Sequence, residues 1–297
     1  MSTARAIGID LGGTQIKAVI VDENDAVLRR ERRQTGGGSA PCWAEAMRAF
    51  VEELGPGLPV AVSAPGLAAP DRRSIAFMPG RLEGLERLDW TSFLGRAHLV
   101  PVMNDAHASL VAEASVGAAR GLRNAIMLTL GTGVGGAILA DGRLLRGHLG
   151  RAGHLGHTCL DIFGAPSIVG TPGALECWIG NYNVAERSGG KFTDTHDLIS
   201  AVRMGDAAAE EVWMRSIRAL ACAICSFINI LDPEAVIIGG GIASAGETLF
   251  LPLQKELESL EWRPAGHRVK ILAATLGEWA GAIGAAQEAL RGESLRE

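Results

Sequence analysis

Short hydrophobic runs that end at glycine recur along this chain. Residues 6–11 form one apolar run that stops at Gly12-Gly13-Thr14, and residues 17–22 form another directly after that turn. Residues 26–29 continue the pattern after a polar turn at residues 23–25. Apolar runs of this length bounded by turn residues are typical of buried strands. The N-terminal segment therefore predicts a meander of three strands, with a glycine turn between the first two.

The same arrangement appears a second time. Residues 125–130 run into Gly131-Thr132-Gly133, and a further apolar run follows. At an offset of 119 residues, Leu11-Gly12 falls on Leu130-Gly131, and residues 17–22 fall on residues 136–141. A chance similarity between two hydrophobic hairpins is the alternative explanation. The turns and the terminal aspartates match at a single offset, which favours two similar domains.

The remaining periodicity completes this two-domain interpretation. It predicts helices at residues 43–54, 105–119, 207–231 and 277–290, and buried strands at residues 60–63, 99–103 and 235–238. We assign residues 1–105 to a smaller N-terminal α/β domain and residues 106–280 to a larger C-terminal one. Residues 281–297 are predicted to return as a helix that packs on the N-terminal domain.

Composition and charge narrow the class of protein. The 297 residues are 47% hydrophobic and 21% charged, which is typical of a folded globular chain. The net charge of −5 has the wrong sign for a nucleic-acid or anionic-membrane binder, so we expect neither partner. The most apolar stretch, residues 219–231, includes Ser226 and Asn229 and is too short to span a bilayer. With no signal-peptide core before Asp10, we expect a cytoplasmic protein.

The glycine turns suggest where the chemistry lies. The chain has 39 glycines, and many lie at strand ends, including a third cluster at Gly239-Gly240-Gly241. Backbone N–H groups in such turns are able to hold phosphates. Asp10 ends the first strand and offers a carboxylate for Mg²⁺, held through water. Capping of a turn is the alternative role for Asp10, and the metal site is the favoured one.

Asp105 has two competing interpretations. Asn104 and Asp105 follow a strand and open a helix, which is where a capping side chain is needed. A general base for phosphoryl transfer also has to lie at the edge of a rigid element. From the residues alone, capping is the favoured interpretation.

Five motifs together resemble the ROK kinases and repressors, a family of the actin-like ATPase superfold. They occur in the family's order and spacing over almost the whole chain: Asp10-Leu11-Gly12-Gly13-Thr14-x-x-Lys17, Asn104-Asp105-Ala106, Leu130-Gly131-Thr132-Gly133-x-Gly135-Gly136, Ala152-Gly153-x-x-Gly156-His157 and Gly239-Gly240-Gly241-Ile242. The resemblance implies an α/β fold of two ribonuclease H-like (actin-like ATPase) domains around an interdomain cleft. It also implies a homodimer.

The same resemblance implies ATP-dependent phosphorylation of a hydroxyl on a monosaccharide or sugar derivative, with ATP and Mg²⁺ as cofactors. Asp105 is then the general base. Nucleotide binding falls to residues of the three glycine turns: Asp10, Gly12, Gly13, Thr14, Lys17, Gly131, Thr132, Gly133, Gly239, Gly240 and Gly241. The acceptor falls to a second set: Gly66, Arg81, Asn104, Asp105, His107, His154, His157 and Glu176.

The chain departs from the family pattern on the acceptor side. His154 replaces the usual Glu of Glu-x-Gly-His, and His107 replaces an Asn. Ser167, Val169 and Ala174 stand where the family has three zinc-binding cysteines, so no structural zinc is expected. A neutral His offers one donor and one acceptor where an ionised Glu only accepts, so the hydroxyl pattern that is recognised has changed. The alternatives are a kinase of a non-sugar polyol and a non-catalytic sugar-binding sensor.

Overall fold

The computed structural model describes residues 4–36, 40–78 and 82–294. Its strands are β1 (Arg5–Leu11), β2 (Gln15–Asp22), β3 (Val27–Gln34), β4 (Val60–Ala64), β5 (Leu67–Ala68), β6 (Ile75–Phe77), β7 (Val102–Asn104), β8 (Ala125–Leu130), β9 (Val134–Ala140), β10 (Arg143–Leu144), β11 (Ala235–Gly239) and β12 (Lys270–Ala273). Its α-helices are α1 (Ala40–Leu54), α2 (Trp90–Phe93), α3 (Asp105–Val116), α4 (Leu175–Ile179), α5 (Val184–Arg187), α6 (Thr195–Arg203), α7 (Ala207–Leu231), α8 (Glu247–Leu260) and α9 (Ala280–Ser294).

The chain forms two compact units. Unit 1 contains residues 1–121, 146–152 and 276–297, and unit 2 contains residues 122–145 and 153–275. The sequence boundary after residue 105 therefore needs correction, because α3 belongs to unit 1. The reason is close packing of α3 on α9: a Cβ on Gly284 would lie 1.8 Å from the Ala108 carbonyl oxygen. The short segment 146–152, assigned from the sequence to the C-terminal domain, also belongs to unit 1.

Unit 1 is built on a five-stranded sheet in the order β3-β2-β1-β4-β7. β1, β2 and β3 form an antiparallel meander, while β1, β4 and β7 run parallel. Parallel strands have their carboxyl ends at one edge, which is the usual ligand-binding edge of open α/β sheets. Asp10, Ser63 and Asn104 lie at that edge, where Asp10 pairs with Ser63 and Ala64 pairs with Asn104.

Unit 2 repeats this topology. Its sheet has the order β10-β9-β8-β11-β12, with an antiparallel meander followed by parallel strands. β8 and β9 occupy the positions that β1 and β2 hold in unit 1. The two similar hairpins that the sequence repeat predicted are therefore present, and each begins a sheet of the same strand order.

The two units have separate hydrophobic cores. Ile7, Ile9 and Phe50 are fully buried in unit 1, and Leu220, Ile224 and Val236 are fully buried in unit 2. Among the described residues, α7 alone is long and apolar enough to cross a membrane by length and composition. Its apolar face packs into the core of unit 2.

Candidate active site

The first glycine turn connects β1 to β2 and is stabilised by Thr35, the residue that follows β3. The Gly12 amide donates to the Gln15 carbonyl at 2.9 Å, and the buried Thr35 hydroxyl donates to the Gly12 carbonyl at 2.9 Å. Gly13 and Thr14 are exposed, and a Cβ on Gly13 would meet no atom within 4 Å. The turn therefore presents open backbone at the ligand-binding edge of unit 1, as a phosphate-binding turn requires.

Asp10 lies beside this turn in a partly buried position. Its Oδ1 accepts a hydrogen bond from the Ser63 hydroxyl at 2.8 Å. Gly281 of α9 leaves room for the carboxylate, since a Cβ there would lie 2.8 Å from Asp10 Cγ. Desolvation raises the pKa of Asp10 to about 6, and the negative charge of Asp105 also raises it.

Lys17 extends the row of charged side chains across the sheet. It pairs with Asp10 on β1 and with Arg32 on β3. Its ammonium lies 3.4 Å from a Glu278 carboxylate oxygen, and Arg32 contacts the same carboxylate at 3.3 Å. Glu278 thus holds two cations close to the first glycine turn, a role that the sequence pattern did not indicate.

Asn104, and not Asp105, caps helix α3. The buried Asn104 side chain accepts hydrogen bonds from the amides of Ala106 at 3.0 Å and His107 at 3.3 Å. Its Nδ2 donates to the Gly66 carbonyl at 2.9 Å. Capping, the interpretation of Asp105 that residue preferences favoured, is therefore wrong. Asp105 is the first helical residue, and its exposed carboxylate accepts a hydrogen bond from the adjacent amide of Ala106.

Position 66 requires a glycine because of its backbone conformation and its close surroundings. Its φ is +103°, and a Cβ would lie 2.6 Å from Met78 Cβ and 2.8 Å from the Phe77 carbonyl oxygen. Glycine adopts positive φ without the steric cost that other residues carry. Through its carbonyl, Gly66 fixes Asn104 and hence the start of α3. Arg81, predicted to bind the acceptor, lies outside the described residues.

His107 has a backbone partner. The ring is almost fully buried, and its Nε2 lies 2.9 Å from the Ala152 carbonyl oxygen. A carbonyl only accepts, so Nε2 carries the proton and donates. His107 was predicted to bind the acceptor, but its Nε2 is directed at the main chain of unit 1.

The second and third glycine turns lie together in unit 2. Gly240 has φ +85°, and a Cβ there would lie 2.3 Å from the Leu130 carbonyl oxygen. This close backbone approach places Gly239–Gly241 beside the turn that follows β8. In contrast, a Cβ on Gly131 or Gly241 would meet no atom within 4 Å, so open space lies over both.

A cavity of about 350 Å³ lies over these two turns. Gly131, Thr132 and Gly241 form its glycine-rich side, and α6 contributes Thr195, Ser200 and Arg203. Arg203 is held in place because its Nη2 donates to the Ala245 carbonyl at 2.9 Å. The volume and the mixed polar lining suit a nucleoside. The residues from α6 were not predicted, because their distance along the chain from either turn gives no local signal.

Three acceptor-side residues of unit 2 form one cluster. His157 Nδ1 lies 3.3 Å from Glu176 Oε1, and the His154 and His157 rings are parallel with centroids 6.3 Å apart. The buried Glu176 carboxylate lies under the second glycine turn, where a Cβ on Gly133 would approach Glu176 Oε2 to 2.8 Å. Burial lowers the pKa of His154, and the neighbouring His157 lowers it further. His154 is therefore held towards its neutral form.

Comparison with known proteins identifies the family to which this chain belongs. The ROK family profile matches residues 6–291, which is nearly the whole chain. The chain belongs to the ROK family. The ROK resemblance read from the five motifs is therefore confirmed, and so is the predicted class of fold.

Several proteins similar to this one are sugar kinases. A glucokinase from Thermotoga maritima is 31% identical over 96% of this chain and 97% of its own length. An N-acetylmannosamine kinase from Escherichia fergusonii is 31% identical over 97% of this chain and 99% of its own. The crystal structure of a ROK family glucokinase from Streptomyces griseus with glucose and AMPPNP is 28% identical, with a TM-score of 0.79 over 97% of this chain and all of its own (100%). The predicted class, a sugar kinase, is the class of these relatives.

Proposed function

We propose that this ROK protein is an ATP-dependent carbohydrate kinase in which Asp105 is the general base. The division of roles between Asn104 and Asp105 carries the proposal. Asn104 satisfies the amides at the start of α3, so the exposed Asp105 carboxylate is not needed as the helix cap. A base at this position would accept the proton of the attacking hydroxyl while the remaining groups position and neutralise the phosphates.

The nucleotide would be held by residues of the three glycine turns. The open backbone at Gly13, Gly131 and Gly241 leaves room for phosphates and ribose where a side chain would obstruct them. Lys17 supplies a positive charge beside the first turn. The base and ribose would occupy the cavity lined by α6 in unit 2.

The residues present also fit Mg²⁺. Asp10 offers a carboxylate oxygen beside the first glycine turn, in the space that Gly281 leaves for this side chain, and Mg²⁺ prefers oxygen ligands and keeps several waters. Asp10 would hold the ion through water. The bound ion would neutralise charge on the transferred phosphate.

The acceptor would be a monosaccharide read by Glu176 and His157, with His154 beside them. Glu176 is buried and offers carboxylate oxygens as hydrogen-bond acceptors, while the two imidazoles are able to donate or accept. Relatives at about the same identity are glucokinases and N-acetylmannosamine kinases, so hexoses and N-acetylhexosamines are the first acceptors to test. The exchange of Glu for His at position 154 changes the recognised hydroxyl pattern, and we propose an acceptor other than plain glucose.

The decisive experiment measures ADP release with Mg-ATP across hexoses, N-acetylhexosamines, rarer sugars and polyols. Selective turnover with one sugar is expected. Asp105→Asn should lower kcat for that sugar by about 10²-fold or more, because the base is lost, while AMPPNP affinity stays unchanged. Asp141→Asn, at an exposed turn, serves as the matched control.

Two results would contradict the proposal. Substantial turnover by Asp105→Asn would remove Asp105 from the role of base. Turnover confined to polyols, or none at all despite AMPPNP binding, would favour the polyol kinase or the sugar sensor. From the family resemblance we also propose a homodimer, and we keep the sequence-based prediction of a cytoplasmic location as a proposal. Light scattering after size-exclusion chromatography tests the first, and fractionation of the source cells tests the second.

A further inference from the structure

The chain passes from one unit to the other four times, and the first passage comes five residues after helix α3 ends. The crossings follow residues 121, 145, 152 and 275. At each of these four points, a nearby residue of unit 1 forms a hydrogen bond or an ion pair with α3 or α9. Asp105 is the first residue of α3. The contacts that hold this helix therefore determine where the proposed base lies.

Near the C-terminal end of α3, Glu113 binds two other segments of the chain. This fully buried carboxylate accepts hydrogen bonds from the amide of Ala118 at 2.6 Å and from the amide of Leu276 at 2.9 Å. Gly117 makes the arrangement possible, since a Cβ there would lie 2.1 Å from Glu113 Oε2. Both carboxylate oxygens are thus engaged, and they hold the chain before one crossing and after another.

His107 fastens the N-terminal end, two residues from Asp105. Its hydrogen bond to the Ala152 carbonyl reaches the last residue of segment 146–152. The same segment is also fixed at its start, where Arg146 contacts Glu288 of α9 at 3.4 Å. At Gly150, a Cβ would lie 2.5 Å from the Ala68 carbonyl oxygen, so the segment lies tightly against β5.

The residues that follow Ala152 belong to the acceptor motif. Gly153 adopts φ +89°, His154 follows it directly, and His157 comes three residues later. The hydrogen bond from His107 Nε2 to the Ala152 carbonyl therefore links the first turn of α3, which carries Asp105, to the residue just before Gly153 and the acceptor motif. A hydrogen bond of 2.9 Å to a buried ring restricts the distance and direction of this carbonyl relative to the helix.

We propose that His107 is a positioning residue that keeps Asp105 in register with the chain entering the acceptor motif. This inference rests on the proposed kinase function. It assigns His107 a role other than contact with the acceptor, which was the prediction from the sequence. Misplacement of a base by about 1 Å costs about 10²-fold in rate, so a single lost hydrogen bond at this position has a measurable effect.

The experiment compares sugar phosphate formed with ADP released in the intact protein, using the acceptor found above. In a misaligned site, a water oxygen bonds to the γ-phosphorus as the bond to ADP breaks, giving ADP and inorganic phosphate without sugar phosphate. His107→Leu should lower kcat by about tenfold or more and lower the sugar phosphate formed per ADP. His107→Gln keeps a donor for the Ala152 carbonyl and should recover most of both. AMPPNP affinity should change less than about twofold in either variant, because the nucleoside cavity lies elsewhere.

Two further variants separate positioning from general stability. His107→Asn is too short to reach Ala152 and should behave like His107→Leu even if the latter folds poorly. Trp43→Phe removes a comparable bond in unit 1, from the indole N–H to the Glu83 carbonyl at 2.9 Å, and should lower Tm without uncoupling.

The inference fails if the His107 variants lose only Tm, as Trp43→Phe is expected to. It also fails if they raise only the KM for the acceptor, which would indicate direct contact. Absence of sugar phosphorylation by the unmodified protein would instead contradict the proposed function, so the two failures are distinguishable.

Discussion

At the scale of single residues, two adjacent glycines have different reasons to be glycine. Gly240 combines φ +85° with a carbonyl oxygen 2.3 Å from where a Cβ would lie, whereas Gly241 faces open space beside the nucleoside cavity. Gly240→Ala should therefore lower the free energy of unfolding by about 1–3 kcal/mol, through backbone strain and overpacking. Gly241→Ala should leave stability nearly unchanged and weaken AMPPNP binding, because its methyl group enters the cavity.

Thermal unfolding and AMPPNP titration of the two variants measure both effects. Equal loss of stability in the two would show that the surroundings of Gly240 are not the cause. Undiminished nucleotide affinity in Gly241→Ala would place the ligand away from this turn.

The roles of individual residues were the hardest feature to predict from the sequence. The pair Asn104-Asp105 was recognised as important, but capping was assigned to Asp105. The choice depends on Gly66, whose carbonyl accepts from Asn104 Nδ2 across 38 positions of sequence. No local propensity contains that contact. Thr195 and Arg203 went unpredicted for the same reason, since only the fold brings α6 to the glycine turns.

At the scale of elements, the contact between α3 and α9 depends on Gly284, because glycine has no side chain. A Cβ on Gly284 would lie 1.8 Å from the Ala108 carbonyl oxygen, so the helices pack at backbone contact. Gly284→Ala should destabilise unit 1 by about 1–3 kcal/mol or more, because the helices must separate. A methyl group on Gly292, in the same helix, would meet no atom within 4 Å, and Gly292→Ala should stabilise by up to about 1 kcal/mol.

Chemical denaturation of both variants gives the comparison. Opposite signs are expected because the two substitutions share helix propensity and differ only in surroundings. Destabilisation of the same size in both would mean that α9 tolerates no alanine for a reason unrelated to its contact with α3. Since α3 carries Asp105, Gly284→Ala should also lower kcat if the proposed base is correctly assigned.

The elements themselves were largely predictable. The two strand–turn–strand hairpins lie close to where their hydrophobic runs and glycines predicted, because both signals are local. The third strand was predicted too short: the apolar run ends at residue 29, whereas β3 continues to Gln34. The arginines of β3 lie on an exposed edge strand, so pairing with β2 and not burial determines the length of that strand.

At the scale of the whole molecule, the internal repeat predicted a duplicated topology, and both sheets have the same strand order. The limits of the units were less accessible to sequence reasoning. These limits depend on the hydrogen bond from the Leu276 amide to Glu113 and on the packing of α9. Neither feature produces a periodic pattern in the sequence. A chain that crosses four times between units cannot be divided correctly at one point of its sequence.

The division into units also makes a prediction about nucleotide binding. The nucleoside cavity is lined by residues of unit 2, whereas the first glycine turn belongs to unit 1. Adenosine should therefore slow amide hydrogen exchange at residues 131–133 and 241–245 while leaving residues 12–14 unchanged. AMPPNP with Mg²⁺ should protect all three turns, because only the phosphates need the backbone N–H groups of the first. Residues 60–64 of the unit 1 core provide the internal control. Protection of residues 12–14 by adenosine would contradict this division of the nucleotide, and failure of AMPPNP to protect them would remove the first turn from phosphate binding.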